Sequence, residues 1–158
     1  MSSLCLTRRA ALVTGLATAA LPPLAHAQNT GRGARQITVY KTPWCGCCGL
    51  WVGHLRQAGW TARVIDVEDL APVRARHGVP DRLASCHTGV VGRYAIEGHV
   101  PAADIDRLIR EAPAGRALVV PGMPAGSPGM ESAGREPYVS LLLLADGRTR
   151  VYGRHNGG

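Results

Sequence analysis

At 158 residues with a formal charge of +7, the chain is long enough for one domain with a real core. Its arginines are scattered, and no aromatic residues interleave with them as stacking platforms would require, which excludes nucleic-acid binding and leaves a solvated basic surface. With no phenylalanine, three tryptophans and four tyrosines, the core must be assembled from Val, Leu, Ile and Ala.

Arg8 and Arg9 precede an uncharged run from Ala10 to Leu24 and then Ala25-His26-Ala27, small residues spaced as a signal peptidase requires. Residues 1–27 are therefore expected to form a removable export signal. The run falls short of the roughly 20 apolar residues that span a bilayer, so no stable membrane anchor is expected. Thr7-Arg8-Arg9 with Leu12 also resembles a twin-arginine signal, and the sequence leaves the two export routes open. Cleavage after Ala27 would leave a polar, glycine-containing leader over 28–35, a single domain over 36–155, and a periplasmic protein of charge +5 once the two signal arginines are gone.

The first expected element is a strand at Ile37-Thr38-Val39-Tyr40, a β-branched and aromatic run. Thr42-Pro43 offers a helix start, and Leu50, Trp51, Leu55 and Ala58 recur at helical spacing before a stop at Gly59. Thr61 to Val67 reads as a second strand and Leu70 to His77 as a short helix, closed by Gly78 and Pro80. Thr88–Val91 and Tyr94–Ile96 read as a hairpin turning at Gly92-Arg93, and Pro101 to Glu111 as a helix with Ile105, Leu108 and Ile109 on one face. That order of elements predicts a thioredoxin-like α/β domain. A C-terminal extension follows: a Gly/Pro/Met loop over 115–136, then a β-hairpin in which the hydrophobic run Tyr138–Leu144 and the segment Arg148–Tyr152 flank Asp146-Gly147.

Cysteine usage carries the chemistry. Cys5 leaves with the expected signal, and three of the remaining four thiols fall within Cys45 to Cys48, where adjacent cysteines pair poorly. Trp44-Cys45-Gly46-Cys47-Cys48 resembles the thioredoxin active-site pattern WCGPC, with Cys47 in the place of the proline. A strand delivers these sulfurs to a helix N-terminus, whose unpaired N–H groups and dipole favour thiolate. Cys45 and Cys48 have the spacing of either a redox dithiol or a metal clip. A third thiol between them would invite wrong pairing in an oxidoreductase, whereas a soft ion such as Cu(I) or zinc gains a ligand from it. Cys86 precedes the third expected strand, in the loop where thioredoxin-like folds carry a proline facing the dithiol, so it is placed to approach the triad.

Neighbouring groups offer further donors. His87 reads as a ligand, a hydrogen-bonding partner of one, or a surface residue, and His99 follows the hairpin that begins beside Cys86. Met123 and Met130 are soft thioethers in the Pro/Gly loop, fit either to touch copper or to pack over the thiols. His54 reads as structural or solvated, and His77 and His155 as surface residues. Tyr40, Ser140, Asp66, Glu68 and Asp69 form no recognisable catalytic group, which excludes a hydrolase or transferase.

Several separated segments, Lys41 to Cys48, Trp51 to Leu55, Ser85 to Thr88, Ile96 to Pro101, Pro121 to Pro124 and Ser127 to Glu131, together resemble the CopG-type family of small periplasmic copper-resistance proteins, a metal-binding domain of unknown function. The resemblance implies a thioredoxin-like fold and a Cu(I)-thiolate site on Cys45, Cys47, Cys48 and Cys86, multinuclear or not, with zinc as the alternative metal. It also implies copper ions and other periplasmic copper-handling proteins as partners, and leaves copper oxidoreductase activity open. Gly49 departs from the lysine that the family tends to carry after the triad. The rival reading is a thiol–disulfide oxidoreductase using Cys45 and Cys48.

Overall fold

Val39 and Ile37 project from one face of the first strand into the interior, while Gln36 and Thr38 on the other stay more exposed, the period of two that a sheet covered on one side imposes. A computed structural model describes residues 35–156, so the expected signal and nearly all of the leader lie outside the described residues. The elements are β1 (Gln36–Lys41), α1 (Gly46–Gln57), β2 (Thr61–Asp66), α2 (Ala71–Arg76), β3 (His87–Val91), β4 (Tyr94–Glu97), α3 (Ala102–Glu111), β5 (Ala117–Val119), β6 (Tyr138–Leu143) and β7 (Thr149–His155). The strands form one mixed sheet in the order β2-β1-β3-β4-β5-β6-β7. β1 runs parallel to β2 and β4 parallel to β5, and the remaining pairs are antiparallel.

Helix α1 buries Cys48, Trp51, Val52 and Leu55, an i, i+3, i+4, i+7 stripe, and α3 buries Ala102, Ile105 and Leu108. Both stripes join Ile37, Val39, Ile96, Leu118 and Leu142 in the main core. The alternate strand residues Ala95, Ala117, Val119 and Leu143 pack with Val79 and Leu83 in a second, smaller cluster. The sheet is thus covered on both faces near its centre.

Two expectations change. The segment 115–136 is not loop throughout: Ala117-Leu118-Val119 is a fully buried strand, parallel to β4 and antiparallel to β6. Three apolar residues between glycine- and proline-rich stretches were too short a run to outweigh the turn signals, yet burial on both faces suffices to hold them in the ladder. Because of β5, the β6–β7 hairpin continues the main sheet instead of standing apart.

His155 is the other correction, since its side chain is only 20% exposed and hydrogen-bonded to Asp104 rather than free on the surface. Its Nε2–H donates to Asp104 Oδ2 at 2.9 Å, Ser140 donates to the same oxygen at 2.5 Å, and the ring stacks on Tyr138. The Ser140 hydroxyl is spent on that carboxylate, with His155 Nε2 a further 3.5 Å from its oxygen, and the cluster ties α3 to the hairpin. Gly153 permits the approach: a Cβ there would lie 2.6 Å from Asp104 Oδ2.

From Gly122 to Met130 the chain forms a strap across α1. Gly126 to Gly129 are buried, and Gly129, at φ +89°, lies so close to the first helical turns that a Cβ would sit 2.8 Å from the Cys47 carbonyl oxygen and 2.9 Å from Trp51 N. Both Glu131 carboxylate oxygens accept the Gly129 N–H at 2.9 Å. Gly129→Ala should therefore unseat the strap, with a loss of about 1–3 kcal/mol from the backbone conformation alone. Urea denaturation measures the loss, and faster proteolytic cleavage within 122–130 would locate it.

Candidate metal centre

Cys45 stands just before α1 in extended conformation (φ −76°, ψ 99°), and the helix begins at Gly46, four residues earlier than the apolar periodicity indicates. Cys47 and Cys48 therefore lie inside the first turn. No side chain caps that turn, so its first N–H groups have no side-chain acceptor. Cys45 and Cys48 are joined in a disulfide, while Cys47 and Cys86 are free.

Cys86 occupies the centre of the arrangement. Its Sγ is 3.6 Å from Cys47 Sγ, 3.2 Å from His99 Nε2 and 3.3 Å from His87 Nδ1. Cys47 Sγ in turn lies 3.6 Å from Cys45 Sγ and 3.9 Å from Met123 Sδ. Two donor groups capable of holding a metal ion result, Cys45/Cys47/Cys48/Cys86 and Cys86/His87/His99, each with its ligand atoms within 4.8 Å of one another and both sharing Cys86. Met123 is half-exposed at the rim, whereas Met130 contributes through its backbone, accepting from Gly126 N and donating to the Ser127 carbonyl.

The imidazoles are buried and specifically oriented. His99 Nδ1 lies 2.8 Å from the Pro128 carbonyl and must donate to it, so Nε2 keeps its lone pair toward Cys86. His87 packs against Trp51, with ring centroids 4.2 Å apart, and meets the His99 ring edge-on. Burial, with His99 beside it, pushes the His87 pKa down to about 3, and burial lowers that of His99. Both rings are thus neutral and ligand-competent at ordinary pH. Burial together with the adjacent Cys47 pushes the Cys86 thiol up to about 12, so without a metal it keeps its proton.

Two supporting groups had no role assigned from sequence, and a third, His54, was read only as structural or solvated. Glu97, fully buried at the end of β4, accepts from Ser85 N and Thr88 Oγ1 at 2.7 Å each, clamping the backbone on either side of Cys86 and His87. Burial raises its pKa against the effect of those bonds. A lone carboxylate ending the apolar run Tyr94-Ala95-Ile96 was the available signal. The Pro128 carbonyl, which orients His99, left none. His54 is the third: its Nε2 accepts the Ala102 N–H at 3.1 Å and so caps α3.

Arranged in this way, the chain is a mixed α/β protein with a clustered thiol and imidazole site beneath a Gly/Pro strap. A family described as a protein of unknown function, DUF411, matches residues 83–130, which hold Cys86, both imidazoles and the strap. Two solved structures, named Copper resistance protein copG Form 1 and Form 2, are each 41% identical to the chain with a TM-score of 0.72. Form 1 covers 77% of this chain and 98% of its own, and Form 2 covers 76% and 97%. No curated protein sequence matches. The chain belongs to the CopG family.

Neutral burial of the imidazoles links stability to pH. Between about 3 and 6.5 the unfolded chain protonates His87 and the folded chain does not, so stability rises with pH across that window. His54 and His99, also lowered, act in the same sense, and Glu97, raised above 4.5, acts in the opposite one. The metal-free protein should lose stability as pH falls from 6.5 towards 3, by up to ~1.4 kcal/mol per pH unit through His87. Urea midpoints measured across the range should show this slope, and His87→Gln should flatten it.

Proposed function

We propose that the protein is a periplasmic Cu(I)-binding protein of copper resistance, which sequesters or relays copper through Cys45, Cys47, Cys48 and Cys86. The observation that carries this reading is the sharing of Cys86 between a four-sulfur group and a sulfur–imidazole group. A sulfur common to two donor sets is suited to bridging soft ions, so the site would hold a multinuclear copper–thiolate cluster once the Cys45–Cys48 bond is reduced. His87 and His99 would supply neutral nitrogen donors and Met123 a thioether at the rim, with Met130 shaping the strap. The names of the two similar structures support copper as the cargo.

Residues 1–27 would be a cleaved export signal and 36–155 one thioredoxin-like domain. The β2-β1-β3-β4 order, with β1 parallel to β2 and α1 starting at the cysteines, supports that fold reading. No described helix is long and apolar enough to cross a membrane. Other periplasmic copper-handling proteins would exchange the ion, and neighbouring thiolates and imidazoles would suit copper redox activity.

Thiol–disulfide exchange by Cys45 and Cys48 is the second reading, favoured by the bond between them. A mononuclear zinc site on the four sulfurs is a third. An anaerobic titration of the reduced protein with Cu(I) and Zn(II) against competing chelators, with bound ions counted by native mass spectrometry, separates them. Cu(I) should bind in preference to zinc, with more than one ion per chain. Cys47→Ser should lower that stoichiometry, and Cys86→Ser should weaken binding by more than the ~10–100-fold that loss of an outer hydrogen-bonding partner costs. Weak copper binding beside a reversible Cys45–Cys48 couple that is indifferent to Cys47 would make the protein an oxidoreductase instead.

A further inference from the structure

With Cys45 and Cys48 already joined, the two free thiols of the site face each other across elements: Cys47 in the first turn of α1 and Cys86 at the head of β3, sulfurs 3.6 Å apart. We propose that Cys47 and Cys86 form a second redox dithiol, which in the metal-free protein closes into a disulfide alongside Cys45–Cys48. A bond requires the sulfurs to approach to about 2.05 Å, within reach of a rotamer adjustment at the partly exposed Cys47. The backbone at Cys86 is held for this meeting, since Glu97 clamps Ser85 and Thr88, and Cys48 Sγ, with no hydrogen left to donate, rests 3.3 Å from the Cys86 carbonyl oxygen. The approach from solvent is open: nothing lies within 4 Å of a Cβ placed at Gly46 or Gly49, and Trp44 is 70% exposed.

The co-substrate is a disulfide oxidant, small or protein-borne. Cys47 thiolate attacks one sulfur of the oxidant, forming a mixed disulfide and releasing the first thiolate, which takes the proton that Cys47 gave up. Cys86 then displaces the second half as a thiol, its own proton passing to that leaving group. Two thiols of the chain are oxidised and one disulfide of the oxidant is reduced to two thiols. The resulting form has no free thiol at the site, and of the candidate donors only His87, His99 and Met123 remain. Release of copper on oxidation is a consequence that rests on the copper reading above, whereas the disulfide itself does not.

The test oxidises the metal-free full chain, carrying Cys5→Ser so that only the site thiols are counted, with a glutathione disulfide series. Alkylation, digestion without reduction and mass mapping follow. The expected result is loss of every alkylatable thiol, with Cys45–Cys48 and Cys47–Cys86 as the linked pairs. In Cys86→Ser, Cys47 should remain trapped as a glutathione adduct. Recovery of Cys86 as its alkylated form, linkage of Cys47 to Cys45, or a Cys47 adduct no more persistent in Cys86→Ser than in the parent would overturn the proposal. Cu(I) uptake by the doubly oxidised chain, measured in parallel, separates the two claims. Uptake that persists with both disulfides mapped sinks the four-thiolate reading and leaves the second dithiol standing.

Discussion

The hydrogen bond from His99 Nδ1 to the Pro128 carbonyl fixes which imidazole nitrogen faces Cys86, and with it the position of the strap over the cysteines. Without that acceptor a neutral imidazole is free to hold its proton on either nitrogen. With it, the Nε2 lone pair is committed to the site, 3.2 Å from Cys86 Sγ. The same bond needs Pro128 to lie deep, which needs Gly129 to pass against the first turns of α1 where a side chain has no room. Strap, helix and imidazole therefore depend on one another, and the strap's glycines and prolines are as much a part of the site as its sulfurs.

Burial sets the chemistry of the resting site. Gathering thiols and imidazoles away from water penalises every charged form, so His87 and His99 stay neutral and Cys86 stays protonated. A soft cation bound there would change that balance, replacing the Cys86 proton and supplying the positive charge that the apolar surroundings lack. Metal binding must then release protons, and its apparent affinity must rise with pH until the thiols are ionised. Glu97 extends the same logic beneath the site. Its carboxylate is buried, and the Ser85 N–H and Thr88 hydroxyl that donate to it are the groups that bracket Cys86 and His87.

How far this was legible in the sequence depended on range. The cysteine spacing, the strand-to-helix turn that presents it, and the approach of Cys86 were readable from local signals: β-branched runs, a helical stripe and a cysteine ahead of a strand. The seven-strand continuation of the sheet was not, because β5 is three residues long and its pairing with β4 and β6 is a tertiary effect. His155 was misread for a related reason: its partners Asp104 and Ser140 lie 51 and 15 residues away. The strap was visible as a Gly/Pro/Met segment, but a backbone carbonyl that selects a tautomer has no side-chain signature. The Cys45–Cys48 bond matched the spacing of the rival redox reading, and it leaves Cys47 and Cys86 as the free pair.

The central claim is that copper sits where Cys86 joins the sulfur group to the imidazoles. X-ray absorption at the copper K-edge of the reduced, Cu(I)-loaded protein tests it most directly. The account predicts a first shell dominated by sulfur with a nitrogen contribution that falls in His99→Ala, together with a copper–copper distance indicating bridging. A shell of oxygen and nitrogen alone, or a sulfur shell unchanged by Cys86→Ser, would contradict it.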